Sequence, residues 1–175
     1  MVDTTRGRGI GVGRDRPPSR CAGRRVGAMS TASELHGPPH VKRYLATDGE
    51  DGYHWRRKTT ILILFTKGRK TGEQRSHALI FRPHGRDYLI VASKGGSDAP
   101  PAWLRNLQAD PDVEVQIKGD RFRAHARVAT REEKPAMWAE MVKAWPDYER
   151  YQARTNREIP VVVLERADPP GTESR

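Results

Sequence analysis

The sequence predicts an α+β protein: a small, mainly antiparallel barrel of about six short strands, with helices flanking it. Three observations carry that expectation. The apolar, β-branched runs are short, and several are joined by turn-rich links of hairpin length. Their order with the helical segments reads βββ-α-ββ-α-β, and closing such strands into a barrel removes the sheet edges. A G-x-G-x-x-G turn from strand to helix is absent, which argues against a doubly wound parallel fold.

Residues 38–46 suit a short helix, and 47–58, "TDGEDGYHWRRK", read as a polar, turn-rich link. "TTILILFT" (59–66) is a buried strand and "QRSHALIFRP" (74–83) a second, the two flanking the turn "GRKTG". "RDYLIVASKGG" (86–96) is a third strand, entered through His84-Gly85 and ended by Gly95-Gly96. Pro100 and Pro101 fit the first turn of a helix whose apolar face is Trp103, Leu104 and Leu107, and Asp110-Pro111 stops it. "VEVQIKG" (113–119) and "RFRAHARVAT" (121–130) alternate in polarity around a Gly119-Asp120 turn. In 131–145, Met137, Trp138, Met141, Val142 and Trp145 recur at one-face helical spacing. "DYERYQARTNR" continues as a short helix and loop, and "IPVVVLER" (159–166) is the last strand.

At 175 residues the chain suits one domain. We divide it into a basic tail (1–28), an N-terminal helix and loop (29–58), a cofactor-binding barrel (59–167) and a C-terminal tail (168–175). Residues 1–28 hold seven Arg against Asp3 and Asp15, a net of +5 out of +10, in a composition too poor in apolar groups to order itself. Met29 opens a stretch more typical of a domain start, so 1–28 also reads as a mispredicted upstream extension. The single cysteine, Cys21, excludes an intrachain disulfide and a cysteine-based metal site. With no apolar run long enough to span a bilayer and no signal-like segment, the expectation is a cytoplasmic protein. The positive charge points to anionic partners, with peripheral membrane contact among them.

The chemistry-bearing segments are few. Gly68 and Gly72 bracket Arg69, Lys70 and Thr71, with Arg75 just beyond, a pattern that fits either an anion nest or a solvated hairpin loop. "ASKGG", with Ser93 and Lys94, lies between a strand end and a helix start, where it is either a second oxyanion-binding segment or an ordinary turn. Trp103 is either core or a stacking surface, and Tyr148, just past Pro146, hints at a loop over a cleft. The six histidines show no metal-ligand spacing, His77 and His125 read as structural groups in strands, and Glu132, Glu133 and Glu140 as a solvated helix face. No acid/base or nucleophile set emerges, a pattern that fits an enzyme whose cofactor supplies the reactivity.

Four blocks, "FTKGRKTGEQRSHALIF", "YLIVASKGG", "PPAWLRNLQADPDVEVQIKG" and "WPDYERYQARTNREIPVVVLER", resemble in order and spacing the deazaflavin-dependent nitroreductase family, actinobacterial enzymes with a split β-barrel that use coenzyme F420. The resemblance implies an F420H2-dependent oxidoreductase acting on a quinone or nitro-type acceptor. By the same resemblance, Arg69, Lys70 and Thr71 hold the cofactor's phosphate and polyglutamate tail. Arg75, Ser76, His77, Ala78, Leu79 and Ile80 run along it. Val91, Ala92, Ser93 and Lys94 meet the ring and linker, and Ala102, Trp103, Leu104, Arg105 and Asn106 border it. Tyr148 lies over the substrate pocket, and Tyr148 and Ser93 are the hydroxyls expected to orient a quinone oxygen. Ile80 and Trp145 stand where the nitroimidazole-activating member carries tyrosines, so the resemblance specifies the cofactor more firmly than the acceptor. FMN is the alternative cofactor, since related split barrels bind it. A basic nucleic-acid-binding module is the alternative of another class, although no nucleic-acid partner is expected.

Overall fold

The computed structural model describes residues 35–167; the expectations for 1–28 and 168–175 lie outside the described residues. Six strands, β1 (Thr60–Lys67), β2 (Gln74–His84), β3 (Asp87–Val91), β4 (Asp112–Ile117), β5 (Asp120–Val128) and β6 (Val161–Arg166), close into one barrel in the order β1-β2-β3-β6-β5-β4. Every pair is antiparallel, and closure is made by the short β1–β4 ladder, Ile63 opposite Gln116 to Phe65 opposite Glu114.

The period of two decides which side chains face which layer. Leu62, Leu64, Phe81, Ile90, Val115, Phe122 and Leu164 fill the barrel. The intervening residues of β1, Ile61, Ile63 and Phe65, are also buried, under helix α1 (Gly37–Ala46), whose Val41 and Tyr44 lie on them. That double burial is why "TILILFTK" reads as one continuous apolar run. Tyr44 clamps α1 to the barrel: its hydroxyl donates to the Ile61 carbonyl (3.0 Å) and accepts from the Lys118 amide (2.7 Å), and burial pushes its pKa up to about 12. Next to it, α3 (Lys134–Ala144) and α4 (Asp147–Ala153) set Met137, Met141, Trp145 and Tyr148 against Leu89, Val91, Val161 and Val163.

Three expectations are corrected. The third strand ends at Val91 rather than at Gly96, because Lys94, Gly95 and Gly96 all take positive φ (+46°, +65° and +83°) and wind the chain into a left-handed turn. The last strand starts at Val161, after Pro160, which has no N–H to give a ladder. The acidic helix face is not simply solvated. Glu133 accepts two bonds from the Arg127 guanidinium (2.7 and 2.9 Å) and one from the Thr130 amide (2.9 Å), while Glu140 pairs with His84 (3.3 Å). The hydrogen bonds from Arg127 and Thr130, with the Arg127 charge, hold the Glu133 carboxyl down at about 2. Residues 47–58 are also more than a polar link, since Tyr53 and Trp55 pack against the core clusters.

Candidate functional site

The barrel leaves one apolar cavity of about 330 Å³ between α1, the face of β2, the turn after β3, and α4. Of the residues singled out in the sequence, Ala78, Leu79, Ile80, Val91, Ser93, Lys94, Trp103 and Tyr148 line it. Trp103 serves both expected purposes: it is buried in the core and presents part of its surface to the cavity. Tyr148 sits in the first turn of α4, not on a loop, and is buried among Trp138 and Tyr151 at ring distances of 6.1 Å. Its hydroxyl has no partner among the described residues, and burial raises its pKa well above the ordinary phenol value. The phenol is therefore a neutral hydrogen-bond donor, reluctant to give up its proton. Ser93, nearly buried, also keeps its side-chain hydroxyl unpartnered.

A second, basic hollow adjoins the first across β2 and the start of α2 (Ala102–Ala109). Arg69, Lys70, Thr71, Arg75, His77, Ala102 and Asn106 line it. The loop is shaped from inside: the Gly72 amide donates to the Gly68 carbonyl (2.7 Å), and Gly68 donates to Glu73 (2.8 Å). Of the two glycines only Gly72 uses positive φ. Asn106, almost fully buried, ties the loop to helix and strand, accepting from the Arg69 amide (3.3 Å) and donating to Thr66 (3.2 Å). Arg69 and Lys70 have no carboxylate partner among the described residues, whereas Arg75 is paired with Glu73 (2.6 Å). Burial and, secondarily, the Arg75 charge lower the pKa of His77 from its ordinary value. Ser76, Ala92, Leu104 and Arg105 line neither hollow: Ala92 and Leu104 are core, and Arg105 is exposed.

Two contributors escaped the sequence analysis. Arg157 reaches back some sixty residues to the "ASKGG" turn, donating to the carbonyls of Ala92 (3.0 Å), Ser93 (2.9 Å) and Ser97 (2.8 Å). It holds open a conformation that costs a non-glycine residue such as Lys94 about 1–2 kcal/mol. The second is the cover formed by His36, Gly37, His40 and Trp55, which supply the upper wall of the cavity. The Trp55 indole donates to the Leu35 carbonyl (2.6 Å) and packs 5.4 Å from Trp145, over which Arg57 lies at 5.0 Å. A tryptophan amid the polar run "GYHWRRK" was the available signal.

A closed six-stranded antiparallel barrel with flanking helices, carrying an apolar slot beside a basic hollow, defines a class: small split barrels. Residues 38–166 match the model of the F420H(2)-dependent quinone reductase family, and the chain belongs to that family. An F420H(2)-dependent quinone reductase of Mycobacterium tuberculosis (strain H37Rv) is 38% identical over 135 residues, covering 73% of this chain and 87% of its own. A solved structure described as the F420-H2 dependent reductase FDR-A is 37% identical with a TM-score of 0.56, over 60% of this chain and 93% of that one. Another, described as a domain-swapped dimer, is 35% identical with a TM-score of 0.59, over 71% and 93%. The protein is thus an oxidoreductase whose reductant is F420H2 and whose acceptors are quinones, which decides between deazaflavin, FMN and nucleic acid in favour of the first.

Proposed function

We propose that the apolar cavity takes the flat ring of F420 together with the quinone, and that the adjoining hollow holds the cofactor's anionic phosphate and tail. The observation that carries this is the nearness of the two hollows: residues lining the apolar cavity, which is in the size range of small-ligand sites, stand next in the chain to residues lining the basic one, Ala78 beside His77 and Trp103 beside Ala102, and there Arg69 and Lys70 have no carboxylate partner among the described residues. The residues fit such a group, because a flat apolar body and a polyanionic tail need just these surroundings in this order. F420H2, when bound, supplies a hydride from its ring; the chain's own residues hold, orient and shield.

Val91, Leu79 and Ile80 exclude water from the slot, and Trp103 bounds it beside the start of α2. Tyr148 and Ser93 offer hydroxyl hydrogens to an oxygen that gains negative charge, and donors fixed beforehand stabilise that charge without reorganising. Arg157 fixes the backbone on which Ser93 stands. Arg69 and Lys70 bind the anionic groups as charge-assisted partners. Nitro-type acceptors belong to the same reading, because their oxygens ask for the same donors, and the chain's net charge of +10 supports peripheral contact with an anionic membrane. No helix among the described residues is long and apolar enough to cross one.

Titration of the purified protein with oxidised F420, and with FMN in parallel, tests the assignment. Tight binding of F420 that weakens with added salt, and weaker binding of FMN, is expected. Equal affinity for both, indifferent to salt, would refute the role of the basic hollow.

A further inference from the structure

Quinone reduction needs a proton as well as a hydride, and the buried Tyr148 phenol is a poor source of one. We infer that His40 is a proton-donating catalytic residue for the quinone, acting through Nδ1 across the wall of the cavity. The inference rests on the reading that the quinone occupies this cavity.

His40 is only 2% exposed, yet it lines the cavity. Its Nε2 lies 2.8 Å from the Gly52 carbonyl oxygen. A carbonyl only accepts, so Nε2 carries a hydrogen whether the ring is neutral or charged, and the second proton can come and go only at Nδ1. The contact is a built one. Gly52 stands at φ +105°, and a Cβ there would lie 2.9 Å from Nε2 and 3.0 Å from Cδ2. The Nε2–Cδ2 edge is therefore the edge seated against Gly52, and Nδ1 lies on the other side of the ring.

Nδ1 has no hydrogen-bond partner among the described residues. Arg166 Nε is the one side-chain polar atom among them that is both fully enclosed and unpartnered. Nδ1 must then touch open space, and the open space His40 borders is the cavity. A purely structural histidine at this depth would have both nitrogens satisfied. The titratable groups around it are His36 and Tyr44 on α1, Lys94 on the turn after β3, and Tyr148 and Tyr151 on α4, with the Arg43–Asp51 pair behind the Gly52 loop.

The balance is simple. The quinone gains a hydride from F420H2 and becomes a hydroquinone monoanion; Nδ1–H of the imidazolium gives its proton to that oxygen, leaving the neutral Nε2–H ring. The overall reaction moves one hydride and one proton to the quinone, and solvent, which takes up the proton released by the reductant, recharges His40. A positioned general acid is worth about 10²–10⁴ in rate.

His40→Gln tests this, since glutamine can still donate to the Gly52 carbonyl. Single-turnover reduction is followed with a menadione-type quinone and with a cationic phenothiazine dye, which becomes neutral on accepting a hydride and needs no further proton. We expect quinone reduction to slow about 100-fold and to lose the solvent isotope effect expected of the wild type. Dye reduction should slow far less than quinone reduction. Equal slowing with both acceptors would make His40 a packing group, and no slowing with either would remove it from the reaction. Failure of the wild type itself to bind F420 would instead overturn the cavity assignment. Should the variant not fold, the wild type decides: quinone reduction must show a solvent isotope effect that dye reduction lacks, and its absence refutes the inference.

Discussion

The left-handed turn after β3 sets Gly95 and Gly96 side by side in apparently equivalent roles, and their substitution by alanine separates two physical effects. Both have positive φ, +65° and +83°. A Cβ on Gly95 would meet nothing within 4 Å, whereas one on Gly96 would stand 2.6 Å from the Tyr151 carbonyl oxygen, 2.9 Å from Tyr151 Cα and 3.1 Å from Arg154 Cβ. Two of those atoms are backbone of α4 and cannot swing aside. Gly95→Ala should therefore cost only the left-handed strain, about 1–2 kcal/mol. Gly96→Ala adds overpacking of roughly 1–3 kcal/mol, for a total of about 2–5 kcal/mol. At about 2–4 °C per kcal/mol for a domain of this size, thermal unfolding of the cofactor-free protein should fall by roughly 2–8 °C for the first variant and about 4–20 °C for the second. Because α4 carries Tyr148, quinone turnover should drop in step for Gly96→Ala. Equal midpoints for the two variants would refute the close approach of turn and helix.

Four further outcomes follow from the same geometry. Arg69→Ala or Lys70→Ala should weaken F420 binding by about 1.5–3 kcal/mol at low salt, with a smaller loss at high salt; unchanged titrations for both would end the tail assignment. Tyr148→Phe should lower kcat about 10–100-fold in stopped-flow quinone reduction and leave F420 affinity intact, while a full rate would show a packing role only. Because burial holds the Tyr148 phenol protonated, this residue should contribute no alkaline loss of activity below pH 10. For Glu133 the folded carboxyl sits at about 2 against an ordinary 4.5, so its ionic contribution to stability is present above 4.5 and fades as pH falls towards 2. Urea midpoints of Glu133→Gln should accordingly lie below wild type at pH 7 and converge with it near pH 2, and a constant gap across that range would contradict the Arg127 pairing.

The barrel was legible because its signals are local. Period-two alternation along 121–130 and the hairpin turns fix strand identity and pairing partners within a few residues. The places where the reading slipped are places where distant contacts override local pattern. "YLIVASKGG" looks like one strand, and nothing nearby says that Arg157 will capture the carbonyls of Ala92 and Ser93 and bend the chain away. Glu133 looks solvated on the helix, and only the barrel brings Arg127 of β5 beneath it.

The site divides along the same line. The basic loop could be read because its cations are adjacent in sequence, but its effective charge could not be obtained by counting them. Glu73 and Arg75 are two apart at the entrance to β2, on the same side of an extended chain, so they neutralise each other and leave Arg69 and Lys70 to face an anion. The apolar half of the site was legible only where the chain supplies it in blocks, as in 78–80 and 91–94. Its cover was not, because His40 and Trp55 come from a helix and a link that look unremarkable until Gly52 lets the chain pass close against the imidazole. The basic loop is thus written locally in this protein, whereas the groups that cover the cavity are assembled by long-range packing.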